Sequence, residues 1–346
     1  MSKLDNKPQI WKLAVDLGLG STSQPASEIL SHVKRRVRSV AQKFSSETLN
    51  DLLTATAQEV GTIFKEIRSN EDLENLQSQY FALGEKGFAN LHNELDAQGY
   101  AITFKRIHPA KWDRAYISVI DCRGDKAFRA YFSKWHELAH LLTLTQQTRL
   151  VFRRTHATAL LHAEEGLMDL IAGEVGFLAD FIPSLGLCDI SFEMIESVRR
   201  QISPDASFQA ASIGIVRALP RPCILLEARL ALKKSEERNK AQLRLAIPVH
   251  AEPTLSLRAV HATTNQAARE IGIFLPNNWK VPTESVVASV FEFGGSAQAQ
   301  ENLSWWRTSS GTSLPNCPVK VEARRVGDSV IALLVAEENS GAVFAA

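Results

Sequence analysis

His136, Glu137, Leu138, Ala139 and His140 place two imidazoles four residues apart with a carboxylate between them. On a helix, residues i and i+4 lie one above the other, so both rings can supply corners of a tetrahedral metal site. A water held by such a metal gives up its proton far more readily than bulk water. Glu137 is the carboxylate in reach to take that proton and hand it to a leaving amine. The pattern predicts metal-assisted hydrolysis, with Zn2+ as the metal. Two imidazoles at this spacing can also be plain core side chains, so the flanking elements decide between the two.

The run from Ala127 to Leu144 has no Pro or Gly and repeats Phe128, Phe132, Trp135, Ala139 and Leu142 at threes and fours. That period puts the pentad on a helix. A catalytic zinc takes three protein ligands and keeps one position open. The segment Ala163 to Leu178 reads as a second helix, on which Glu165 and Asp169 stand one turn apart. Glu165 is the candidate third ligand. Asp169, on the same face, can accept the spare ring N–H of a ligating histidine and fix its tautomer. Glu164 and Glu174 are its rivals: Glu164 faces about a quarter-turn away from Asp169, and Glu174 sits deeper in the helix.

Arg129, Phe132-Ser133 and the His136–His140 pentad together resemble the signature helix of the ImmA/IrrE zinc metallo-endopeptidases. Glu165, Asp169 and Ala172 are similar to that family's second ligand helix, which shares the Glu-x-x-x-Asp layout of gluzincins. The stretch from Ala115 to Asp125 resembles the strand and turn that precede the motif helix, and Ala206 to Arg217 the short helix that closes the core. The similarity covers roughly residues 80 to 220. Met168 and Ile171 depart from the family's Ala and Phe, and the usual exit motif occurs late, at Asp180 to Pro183; ligand types are unaffected. The resemblance implies an endopeptidase that cuts a helix-turn-helix transcriptional repressor in a stress, DNA-damage or anti-phage response. In the CapP-like branch, single-stranded DNA is the trigger.

A chain of 346 residues with 45% hydrophobic content can build two or three cores. The expected fold class is α+β. A helical N-terminal region spans 1–98, a zincin-like metallopeptidase core with a small sheet 99–219, and a separate mixed α/β domain 220–346. The resemblance implies a sensor-like, sometimes GAF-like, character for the last. Residues 27–95 read as almost wholly helical, with caps in Ser45–Thr48 and at Ser69. Strands are expected at 102–107, 116–120, 223–228, 243–249 and 289–293, and a hairpin at 319–335 turning at Gly327-Asp328. The longest apolar run, Val330 to Ala336, is too short to cross a bilayer. The polar start lacks the apolar core of a signal peptide. Cys122, Cys188, Cys223 and Cys317 form no Cys-x-x-Cys pair, which argues for reduced thiols in a cytoplasm and against a zinc ribbon.

The formal net charge of +1 argues against general nucleic-acid binding. The basic stretch His32 to Lys43 therefore reads as a solvated face. Arg149, Arg153 and Arg154 offer a patch for an acidic substrate or nucleic acid, or an ordinary surface; His156 and His162 an oxyanion donor or structural roles; and Trp305-Trp306 a base-stacking pair or, as paired tryptophans in a β domain more often are, a core or interface pair. The competing hypothesis is a non-catalytic regulator, with or without zinc, acting through its C-terminal domain. Glu137 argues against it, because a scaffold needs the ligands at most and has no use for the base.

Overall fold

The computed structural model describes residues 4–20, 22–96, 99–107, 109–144, 163–183, 189–234, 236, 255–308 and 311–337, and the backbone of 151–155. Helices and two sheets build two compact units, Met1–Pro183 with Val198–Gly214, and Ser184–Ser197 with Ile215–Ala346. The mixed α and β composition agrees with the α+β expectation.

Helices α1 (Pro8–Asp16), α2 (Pro25–Phe44) and α3 (Leu49–Glu59) open the chain. Pro25 starts α2 where its missing N–H has no helical partner to lose, and Ile29, Val33, Val37 and Val40 bury one stripe. Thr48 and Asp51 close a reciprocal capping box on α3. Strand β1 (Thr62–Ile67) follows, inside the stretch expected to be helical. Gly61, at φ 73°, ends the helical path, and Thr62-Ile63-Phe64 restarts it with β-branched and aromatic residues. Ser69 and Asp72 then cap α4 (Asn70–Ala82), as the Ser69 signal predicted, and α5 (Leu91–Glu94) is a single turn.

Strands β2 (Gly99–Lys105) and β3 (Tyr116–Asp121) precede α6 (Ala130–Leu142), β4 (Val151–Thr155) and α7 (Ala163–Val175). The sheet order is β1-β3-β2-β4, with β1 parallel to β3 and the other pairs antiparallel. Because side chains alternate across a strand, the two faces differ. Ile102, Phe104, Ile117 and Val119 pack against Leu73, Leu76, Tyr80, Phe88 and Leu91. There the Phe88 ring lies 4.5 Å from Tyr80 and 4.3 Å from Phe104 between centroids. Thr103 and Ser118 point to the opposite face, which α6 covers.

Helices α8 (Phe192–Ile202) and α9 (Phe208–Ala218) lead to β5 (Cys223–Ala231), β6 (Ser256–Thr264), α10 (Gln266–Glu270), β7 (Trp279–Lys280), α11 (Val286–Phe293), β8 (Ser296–Asn302), β9 (Pro318–Val326) and β10 (Ser329–Ala336). These strands form an antiparallel sheet in the order β7-β6-β5-β10-β9-β8. The β9–β10 hairpin turns at Gly327, whose φ of 56° suits glycine. Trp306 is buried in this unit's core, as the paired-tryptophan reading expects, while Trp305 is partly exposed. The expected strand at 289–293 is instead the end of α11. Ser285 caps that helix through Val287 N, Val287 and Val290 bury a helical rather than alternating stripe, and Gly294 at φ 80° stops it. The expected strand at 243–249 lies outside the described residues. Among the described residues no helix is long and apolar enough to cross a membrane.

Close packing joins α6 to the end of α7. Tyr131 Oη donates to the Gly176 carbonyl at 2.7 Å, and a Cβ at position 176 would lie 2.9 Å from Trp135 Cδ1 and 2.7 Å from the Ala172 carbonyl. Replacing Gly176 by Ala is expected to overpack this contact and cost about 1–3 kcal/mol. Thermal unfolding followed by circular dichroism should show a lower midpoint for Gly176→Ala than for the parent.

Candidate metal centre

Helix α6 carries His136 and His140 on one face, one turn apart, and both are buried. Its C-terminal carbonyls are satisfied from outside the helix: Thr143 Oγ1 donates to the Ala139 carbonyl at 2.8 Å and Arg36 Nη1 to the Leu142 carbonyl at 3.1 Å. A cation there also suits the negative end of the helix dipole. Helix α7 carries Glu165 in its first turn, where the dipole favours a carboxylate.

The two helices bring these groups together. His136 Nε2 lies 3.1 Å from Glu165 Oε2, His140 Nε2 lies 3.6 Å from Glu165 Oε1, and the two Nε2 atoms are 3.2 Å apart. One atom from each of His136, His140 and Glu165 falls within a span of 4.8 Å, so the three can hold one metal ion. Asp169, one turn along α7, meets His136 Nδ1 at 2.9 Å. An ionised Asp169 accepts the Nδ1 proton, which leaves the Nε2 lone pair facing the cluster. The arrangement suits the donor set of a metal site: a carboxylate behind the first imidazole, and two ring nitrogens and a second carboxylate in front. A neutral His136 presents a lone pair to Glu165, which is repulsive unless a proton or a metal ion lies between them.

The rival ligands stand elsewhere. Glu174 Oε2 pairs with Lys34 Nζ at 2.6 Å, and Glu164 is exposed. Lys34 belongs to the basic stretch expected to be a solvated face. In fact Lys34, Arg36 and Arg38 reach Glu174, the Leu142 carbonyl and Asp180. Partners more than 100 residues away in sequence cannot be read from charge composition. These half-exposed pairs are worth at most about 1 kcal/mol each. Their effect is mainly one of placement, tying α2 to both ligand helices.

Glu137 is fully buried, and its Oε2 accepts a hydrogen bond from Thr103 Oγ1 at 2.7 Å. Behind Thr103 stand Ser118 Oγ at 2.7 Å and, 3.0 Å beyond that, Thr62 Oγ1. The sequence reading missed these three hydroxyls. The signal that could have found them is the pairing of small hydroxyl residues at matching positions of neighbouring strands, Thr103 opposite Ser118. Arg149, His156 and His162 lie outside the described residues, as do the side chains of Arg153 and Arg154, whose backbone belongs to β4.

Burial pushes the His140 imidazole down to about 4, with the neighbouring His136 adding to the effect and Glu165 opposing it. Burial opposes ionisation of Glu165, but the His136 and His140 rings set against it outweigh that and hold the carboxyl below its usual range. Both groups are thus poised as electron-pair donors at neutral pH. The chain matches no protein-family model and no curated protein.

Two outcomes follow from this geometry. Protein purified without chelator should carry about one metal ion per chain, and Asp169→Asn should weaken its retention about 10–100-fold, read by elemental analysis after titration with a competing chelator. In metal-stripped protein, His140 and Glu165 bind fewer protons folded than unfolded. The His140 contribution to stability is therefore complete above pH 6.5, its ordinary value, and is lost as pH falls toward 4, whereas that of Glu165 is lost only below its ordinary value of 4.5. The urea midpoint of the stripped protein should be lower at about pH 5 than at about pH 7.5, and His140→Gln should flatten that slope.

Proposed function

We propose that this protein is a zinc-dependent endopeptidase in which His136, His140 and Glu165 hold the metal and Glu137 is the general base. The observation that carries the reading is the convergence of two imidazole Nε2 atoms and a carboxylate, with Asp169 behind the first ring and a buried non-ligand carboxylate on the same helical turn. Two imidazoles and one carboxylate form a donor set suited to catalytic zinc. Zinc bound there supplies a Lewis acid that polarises a scissile carbonyl and acidifies a water.

The chain's own side chains do the rest. Asp169 holds the His136 ring with Nε2 presented to the site, and Thr103 orients the Glu137 carboxylate. Glu137 takes a proton from the attacking water and passes it to the leaving amine nitrogen, which must be protonated for the peptide bond to break.

The resemblance to ImmA/IrrE proteases supports a substrate class: a helix-turn-helix repressor encoded near this chain, cut in a stress, DNA-damage or anti-phage response in the cytoplasm. It also supports a zincin-like core for the first unit, a sensor-like, GAF-related second unit, and single-stranded DNA as activator. The test combines purified zinc-loaded protein, the neighbouring repressor, and single-stranded DNA. Cleavage is expected with the parent chain. Glu137→Gln should keep its zinc and lose about 10²–10⁴-fold in rate. Full cleavage by Glu137→Gln would remove the base assignment. Unimpaired cellular function of that variant would instead favour a non-catalytic regulator.

A further inference from the structure

We propose that Thr103 is the positioning residue for Glu137, and that Ser118 and Thr62 complete a hydroxyl string that fixes the direction of its hydrogen bond. The inference rests on reading Glu137 as the general base, and it concerns what holds that base in place. Four buried side chains from three adjacent strands and one helix lie in sequence: Thr62 on β1, Ser118 on β3, Thr103 on β2 and Glu137 on α6. The oxygen separations along the string are 3.0, 2.7 and 2.7 Å.

Hydrogen-bond valence sets the order of protons along it. An ionised carboxylate only accepts, so the Thr103 hydroxyl must donate to Glu137 Oε2. With its one proton committed, Thr103 Oγ1 can only accept from Ser118, and Ser118 Oγ can in turn only accept from Thr62. Each inbound bond polarises the next, which strengthens the final one to the carboxylate. Sheet order is what makes the string contiguous, because β3 lies between β1 and β2.

Infrared spectroscopy tests the bond without relying on turnover. Subtracting the spectrum of Glu137→Gln from that of the parent isolates the Glu137 carboxylate stretch, with or without zinc. Thr103→Val should shift that band, Thr103→Ser should restore it, and Ser118→Ala should shift it by a smaller amount. In zinc-loaded protein cutting the repressor, Thr103→Val should lower kcat about 10–100-fold, the range for losing a hydrogen bond to an ionised acceptor. KM and zinc content should stay unchanged, and Thr103→Ser should recover most of the rate.

An unshifted band in Thr103→Val, or a kcat equal to the parent's, would overturn the proposal. So would a loss that appears wholly in zinc content or KM. If Thr103→Val does not fold, Ser118→Ala decides, since Thr103 stays in place and a shifted band with lowered kcat is still required. A parent chain that holds zinc but cuts nothing would refute the peptidase reading, while the infrared shift would still report the hydroxyl–carboxylate bond.

Discussion

Three electron-pair donors held within about 3–4 Å of one another repel unless something positive lies among them. His136 Nε2, His140 Nε2 and the Glu165 carboxylate are in that position, and much of the first unit is arranged to keep them there. Asp169 takes the only proton a neutral His136 ring carries, which commits its Nε2 to the cluster. The Tyr131 bond to the Gly176 carbonyl and the contact of Trp135 with Gly176 lock the two ligand helices together. Lys34 and Arg36 brace them from α2. Helix packing of this kind can oppose the repulsion, but a divalent cation removes it.

The convergence of these side chains was legible in the sequence because it depends on one helical period read twice. His136 and His140 share a face by spacing alone, as do Glu165 and Asp169, so two short windows suffice. The sequence favoured Glu165 but kept Glu174 as a rival; in the structure Glu174 is paired with a lysine 140 residues earlier in the chain. Strand β1 was hidden for a different reason. Six residues between two well-capped helices do little to disturb a helical average, and only Gly61 marks the break. Residues 289–293 were misread because Val290, Phe291 and Phe293 suit a strand, whereas the Ser285 cap and the Gly294 stop make them the end of a helix.

The hydroxyl string shows a limit of binary patterning. Ile102-Thr103-Phe104 and Ile117-Ser118-Val119 alternate as a half-exposed strand should, and the pattern assigns Thr103 and Ser118 to water. Both are fully buried. Alternation reports that the two faces of a sheet differ in polarity, and a face can be polar because it meets solvent or because it meets a buried carboxylate. Only the position of α6 separates those cases, and that position depends on packing between segments far apart in the chain.

Glu137 bears most directly on whether the centre performs chemistry. Burying an ionised carboxylate costs several kcal/mol unless hydrogen bonds replace the lost water. A site meant only to hold a metal ion would gain stability by carrying Gln at this position, since His136, His140 and Glu165 can hold an ion without it. The protein instead buries a carboxylate one residue from His136, with Thr103 donating to it and Ser118 and Thr62 behind that hydroxyl. The bond from Thr103 replaces part of the water lost on burial, so this position carries an acidic group that the three candidate ligands do not themselves require.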